Sequence, residues 1–118
     1  MAQTLVVQPN SRISVAVQFS CTHENEVIVE NPVTGQRVFS TINYGNQPRT
    51  WQSPINPGPG LQVYIIRGQH KNGLPDGALP WVNSEERIFV ANPVAKVIGY
   101  EDANDGDFND AVASIQWL

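Results

Sequence analysis

Residues 96–117 read KVIGYEDANDGDFNDAVASIQW. Five of the chain's 11 acidic residues fall between Glu101 and Asp110, and no Lys or Arg follows Lys96. The rest of the chain carries six acids against seven bases, so the net charge of −4 comes from this one loop. Carboxylates crowded in this way repel one another and cost folding energy. A hard cation that accepts many oxygen ligands removes that cost. Calcium suits it best, because it takes about 6–8 oxygens at about 2.3–2.6 Å from Asp, Glu, Asn and backbone carbonyls.

The flanks of the loop set the fold. Lys96 to Tyr100 reads as a strand. From Ala111 to Trp117 the residues alternate, with Ala111, Ala113, Ile115 and Trp117 on one face and Val112, Ser114 and Gln116 on the other, the period of a half-buried strand. The unit is therefore strand, acidic loop, strand. Asp105, Asp107 and Asn109 place oxygen donors at alternate positions, and Asp110 follows directly. An EF-hand shares that alternation but needs Gly at loop position 6, Glu at position 12 and flanking helices. Counted from Asp105, those positions hold Asp110 and Gln116. Two plainer readings stay open beside a calcium-dependent binding site: a solvated acidic turn, and a calcium that only staples the hairpin.

Outward from this hairpin the chain reads as β nearly throughout. Thr4 to Gln8 is a short strand stopped by Pro9-Asn10. Arg12 to Ser20 alternates, with Ile13, Val15, Val17 and Phe19 inward. Glu26 to Glu30 and Gln36 to Thr41 are strands joined by the breaker-rich turn 31–35. Tyr44 to Gly60 is a Pro-rich surface loop with a brief strand at Thr50 to Gln52. Leu61 to Arg67 is a strong strand, Gly68 to Ser84 a second long loop, and Arg87 to Val90 a strand. No amphipathic helix, internal repeat or interdomain linker is visible. Residues 1–118 are expected to form one domain, an all-β antiparallel β-sandwich of about eight or nine short strands.

Composition excludes several functions. The acidic balance argues against nucleic acid or an anionic membrane as partner. A single cysteine, Cys21, leaves no internal disulfide framework. The opening MAQTLVVQP has no positive n-region and no long apolar core, so neither a secretory signal nor membrane insertion is expected. That fits synthesis in the cytoplasm, and it is compatible with release by a non-Sec route. No G-x-S-x-G, phosphate-binding glycine loop or H-E-x-x-H motif is present. His23 and His70 sit on separate loops and read as surface residues. Five carboxylates on one loop suit a metal better than the facing pair of a glycosidase. Trp117 reads as core, and Trp51 and Trp81 as loop packing or ligand contact.

The pattern Glu101-Asp102-x-x-Asp105-x-Asp107-Phe108-Asn109-Asp110-Ala111-Val112, closing on Ile115-Gln116-Trp117, resembles the LecB-like calcium-dependent bacterial lectins that bind fucose and mannose. In that family a Glu-Asp-Gly-x-Asp-x-Asp-Tyr-Asn-Asp-Ala-type loop precedes a final strand ending in Asn-Trp. Weaker matches lie at Pro9-Asn10-Ser11-Arg12, at residues 56–60 and at residues 72–76.

The resemblance implies a β-sandwich with two adjacent calcium ions per chain that themselves bind sugar hydroxyls. By position, Glu101, Asp105, Asp107 and Asp110 would hold one ion. Asp107, Asn109, Asp110 and a backbone carbonyl near Ser20 would hold the other. Asp102 would accept hydrogen bonds from the sugar, and Cys21-Thr22-His23 falls where the family sets its monosaccharide preference. With Asp105, Asp107 and Asp110, these residues form the expected sugar-binding set. The expected partners are a monosaccharide or glycan ligand and a second copy of the chain, as a homodimer or higher oligomer. Family members usually end Trp-Pro-Leu-Gly, with the terminal carboxylate in a partner's calcium site. This sequence reads Trp117-Leu118 there, so either Leu118 supplies that carboxylate by a different geometry, or the ligand is water or another side chain. The alternative is a structural β-sandwich module whose calcium-stapled hairpin binds no sugar.

Overall fold

In a computed structural model, residues 2–71, 80–102 and 106–118 are described. They form ten strands: β1 (Ala2–Val7), β2 (Ile13–Phe19), β3 (Asn25–Glu30), β4 (Arg37–Ile42), β5 (Thr50–Gln52), β6 (Gln62–His70), β7 (Val82–Asn83), β8 (Glu85–Ala91), β9 (Ala95–Glu101) and β10 (Ala111–Trp117). All ladders are antiparallel. One sheet has the order β1-β6-β3-β4, with β7 paired to β6, and the other the order β5-β2-β10-β9-β8.

The inward faces follow from alternation. Ile13, Val15 and Val17 on β2, Ile98 and Tyr100 on β9, and Ala111, Ala113 and Ile115 on β10 pack against Leu5 and Val7 of β1, Val27 and Val29 of β3, Phe39 of β4, and Tyr64 and Ile66 of β6. Trp117 packs at the edge of this core, and its indole N–H donates to the Val6 carbonyl at 2.7 Å. Trp51 stacks on Phe39 and meets Tyr64 edge-on, so it is packing and not a free sugar platform.

β3 is buried on both faces. Glu26, Ile28 and Glu30 share the outer face, which a polar ladder covers. Gln69 donates to Glu26 at 2.6 Å, and Arg67 donates to Glu30 at 2.8 Å through Nε.

The tenth strand is the two-residue β7, which lies in the stretch read as the second long loop, while the brief strand expected at Thr50 to Gln52 is β5. β6 also runs past Arg67 to His70, into the stretch read as loop. The reason is Gly68: a Cβ there would lie 2.5 Å from the Tyr100 ring, so the glycine admits the opposite sheet's aromatic rather than breaking the strand. His70 is accordingly buried, not a surface residue, with Nδ1 2.8 Å from Ser84 Oγ.

Three features bring the site together at one end. Ala111 of β10 pairs with both Phe19 of β2 and Tyr100 of β9. The Ser20 N–H donates to the Asp110 carbonyl at 2.9 Å and extends that ladder by one step. The link 20–24 then crosses from the second sheet to the first, where Asn25 of β3 pairs with His70.

Candidate carboxylate and sugar site

Glu101 closes β9 and Asp110 immediately precedes β10, and both are buried. Asp107 is exposed on the loop between them. One ligand oxygen from each of these three residues lies within 4.8 Å of the others. Oxygens sharing one calcium can be at most about 5.2 Å apart, twice the longest usual Ca–O distance. The residues therefore fit a hard divalent cation.

The loop's shape follows from its backbone. Phe108 sits at φ 54° and Gly106 at φ 77°. The Phe108 N–H donates to Glu101 Oε2 at 3.2 Å, the Asn109 N–H to Asp107 Oδ1 at 3.3 Å, and the Asp102 N–H to Asp110 Oδ2 at 2.9 Å. A Cβ on Gly99 would lie 2.1 Å from the Phe108 carbonyl oxygen, so the loop lies directly on β9. The Arg87 guanidinium caps the Phe108 ring at 4.5 Å.

Electrostatics bear on the same cluster. Burial, together with the Glu101 and Asp102 side chains, pushes the Asp110 carboxyl up to about 8. Near neutrality a proton therefore occupies a position that a cation can take. Burial first, then the Asp102 and Asp110 charges, push the Cys21 thiol up to about 11, so it stays protonated.

Beside the carboxylates opens a cavity of about 610 Å³ lined by Phe19, Ser20, Cys21, Thr22, His23, Asp102 and Asp110. On the far side of Phe19 and Ser20 lies a groove of about 690 Å³ that includes Asn43, Arg49 and Asn109. The structure thus brings together Glu101, Asp107 and Asp110, and sets Asp102, Cys21, Thr22, His23 and Ser20 around one cavity. Asn109 faces the neighbouring groove. Asp105, and the 72–76 segment, lie outside the described residues.

Sequence reasoning missed Asn25 and Asn43. Asn25 is 1% exposed, and its amide donates to Asp102 Oδ2 at 2.6 Å, the His23 carbonyl at 3.1 Å and Cys21 Sγ at 3.3 Å. Asn43 donates to the same carbonyl at 2.8 Å and the same sulfur at 3.3 Å, and the Tyr44 hydroxyl donates to the Thr22 carbonyl. Trp81 lies under the Lys71 ammonium at 4.9 Å, and Lys71 in turn pairs with Glu24 at 3.3 Å. An asparagine opening a strand ahead of the Val27-Ile28-Val29 run was the one available signal for Asn25.

No protein-family model and no curated protein matches the chain. Solved structures do. A high-affinity mannose-binding lectin from Ralstonia solanacearum superposes with a TM-score of 0.62 at 17% identity, over 98% of this chain and 95% of its own. The C-terminal domain of the BC2L-C lectin from Burkholderia cenocepacia gives 0.66 at 16% identity, over 100% and 98%. The lectin CV2L from Chromobacterium violaceum, solved with α-methyl-fucoside, gives 0.57 at 19% identity, over 99% and 95%. At such identities the likeness establishes the architecture: this chain has the all-β sandwich fold of bacterial lectins.

Proposed function

We propose that this protein is a calcium-dependent carbohydrate-binding lectin, not an enzyme, whose ligand is a monosaccharide or glycan terminus of the fucose or mannose type. One observation carries the reading. Glu101, Asp107 and Asp110 converge within 4.8 Å at the edge of an open cavity that Asp102 and the 21–23 loop also line. The fold shared with lectins whose names record mannose or a fucoside supports it.

Each residue has a part. Glu101, Asp107 and Asp110 would supply anionic oxygens to one ion, with Asp105 completing the set. Asp107 and Asp110, with Asn109 and the Ser20 carbonyl, would hold a second ion. Bound calcium supplies coordination positions at which vicinal hydroxyls replace water. Asp102 accepts a hydrogen bond from a sugar hydroxyl, and Thr22 and His23 lining the same cavity meet the ring's substituents. A neutral polyol competes poorly with water for single hydrogen bonds. Fixed ions and a charged acceptor overcome that competition.

Calorimetric titration tests the proposal. Calcium should bind at about two ions per chain, and methyl α-mannoside or α-methyl-fucoside should bind only in its presence. Calcium binding with no response to either sugar would favour the stapled-hairpin alternative. No calcium binding at all would remove both readings.

A further inference from the structure

Asn25 belongs to neither the proposed metal set nor the proposed sugar-binding set. It opens β3, in the sheet opposite the one that carries the acidic loop. Its side chain crosses to that loop and is nearly sealed from solvent. An amide nitrogen has two hydrogens. The bond to Asp102 Oδ2, at 2.6 Å, takes one of them. The other is shared between the His23 carbonyl and Cys21 Sγ. Asn43 doubles the second set of contacts but makes none with Asp102. It also accepts the Asn25 backbone N–H through Oδ1 at 2.9 Å, so the two amides form one unit.

We propose that Asn25 is the positioning residue of the sugar site: through one buried amide it fixes the direction of the Asp102 carboxylate and ties it to the adjoining 21–23 loop. This rests on the reading of Asp102 as the sugar's acceptor. The Asp102 side chain is only 5% exposed, so its orientation is set by protein contacts rather than by water. A carboxylate held by a charge-assisted bond at one oxygen presents a fixed geometry to a hydroxyl. Freed of that bond, it can rotate and lose the alignment that makes it a better acceptor than solvent. Because the same amide holds the His23 carbonyl, Asp102 and the 21–23 backbone cannot shift independently. Exchanging Cys21 or Thr22 alone should therefore change the contacts offered to a sugar without moving Asp102, whereas His23, with Nδ1 3.9 Å from Asp102 Oδ2, also bears on that carboxylate.

The test separates the sugar from the metal. Asn25→Leu is close to isosteric and removes both donors, whereas Asn43→Leu removes the 21–23 contacts and spares Asp102. Calcium and methyl α-mannoside or α-methyl-fucoside titrations on the full chain should show Asn25→Leu losing tenfold or more in sugar affinity. Its calcium affinity should change less than threefold, and Asn43→Leu should lose less sugar affinity than Asn25→Leu. Combined with Asp102→Asn, Asn25→Leu should add almost no further sugar loss, a non-additivity that a general packing defect would not produce. If Asn25→Leu fails to fold, Asn25→Ser replaces it, since a hydroxyl one atom shorter falls short of Asp102. Wild-type sugar affinity in the Asn25 variant, or losses that simply add in the double variant, overturn this inference alone. A wild-type chain that binds neither sugar in calcium overturns the proposed function and this inference with it.

Discussion

Asp110 is where the acidic loop carries its sharpest conflict. Its folded-state value near 8 stands above the ordinary 3.8, so the metal-free folded chain keeps a proton that the unfolded chain gives up. The stabilisation from that proton is complete below the ordinary value and is lost as pH rises through about 8. Calcium bound as proposed would displace that proton. Urea unfolding in chelator should therefore show a contribution that weakens from pH 5 to pH 8, while the increment from added calcium grows over the same range. A calcium increment independent of pH would contradict the assignment.

In the proposed site Asp107 and Asp102 have different parts. Asp107→Asn removes an oxygen of the metal cluster and should cost both calcium and sugar binding. Asp102→Asn should keep calcium but weaken the sugar, because losing a bond to a charged group costs about 1.5–3 kcal/mol. That is roughly ten- to a hundredfold in affinity. Paired titrations of the two variants decide it, and equal calcium loss in both would refute the division.

At the scale of elements, the β9–β10 hairpin depends on Gly99. Gly99→Ala drives a Cβ against the Phe108 carbonyl and the Phe89 ring. Urea denaturation should show about 1–3 kcal/mol of destabilisation, the usual cost of overpacking, together with weakened calcium affinity. Gly60→Ala, with nothing within 4 Å, should stay within about 0.5 kcal/mol of wild type. This hairpin was also the most legible part of the sequence. Alternation marks β10 from Ala111 to Trp117, and the charge imbalance marks the loop, because both signals are local. The same alternation assigned the inward face of β2. The misread elements depend on distant chain. Gly68 reads as a breaker until the Tyr100 ring from the other sheet is placed over it, and His70 reads as exposed for the same reason. Asn25 and Asn43 lie 18 positions apart and act through side-chain amides, which leave no period to detect.

At the scale of the whole molecule, calcium should raise stability in proportion to its occupancy, by about 2.7 kcal/mol at a hundredfold excess over Kd. Differential scanning in calcium and in chelator measures it, and an unchanged midpoint would count against the site. The edge strand β8 leaves Ile88, Phe89 and Val90 exposed, with Val94 in the turn beyond. Exposed strand edges of this composition are ordinarily covered. We therefore expect an isologous dimer, because paired sites raise the avidity of a lectin for a multivalent surface. Sedimentation in calcium should detect the dimer, and Val90→Lys should weaken it. A wild-type monomer at high concentration would contradict it.

The Trp117 indole reaches Val6 across 111 positions of sequence, and β10 lies between β2 and β9 in its sheet. During synthesis β2 must therefore wait for β10, the partner that joins it to β9 and completes its sheet. Folding is then governed by late closure of long chain loops, which is slow in β-rich topologies. The carboxylate cluster assembles only when that strand docks. If the cluster holds calcium as proposed, a nascent chain would have no assembled site to recruit the ion early, and metal capture would mark finished folding rather than trigger it.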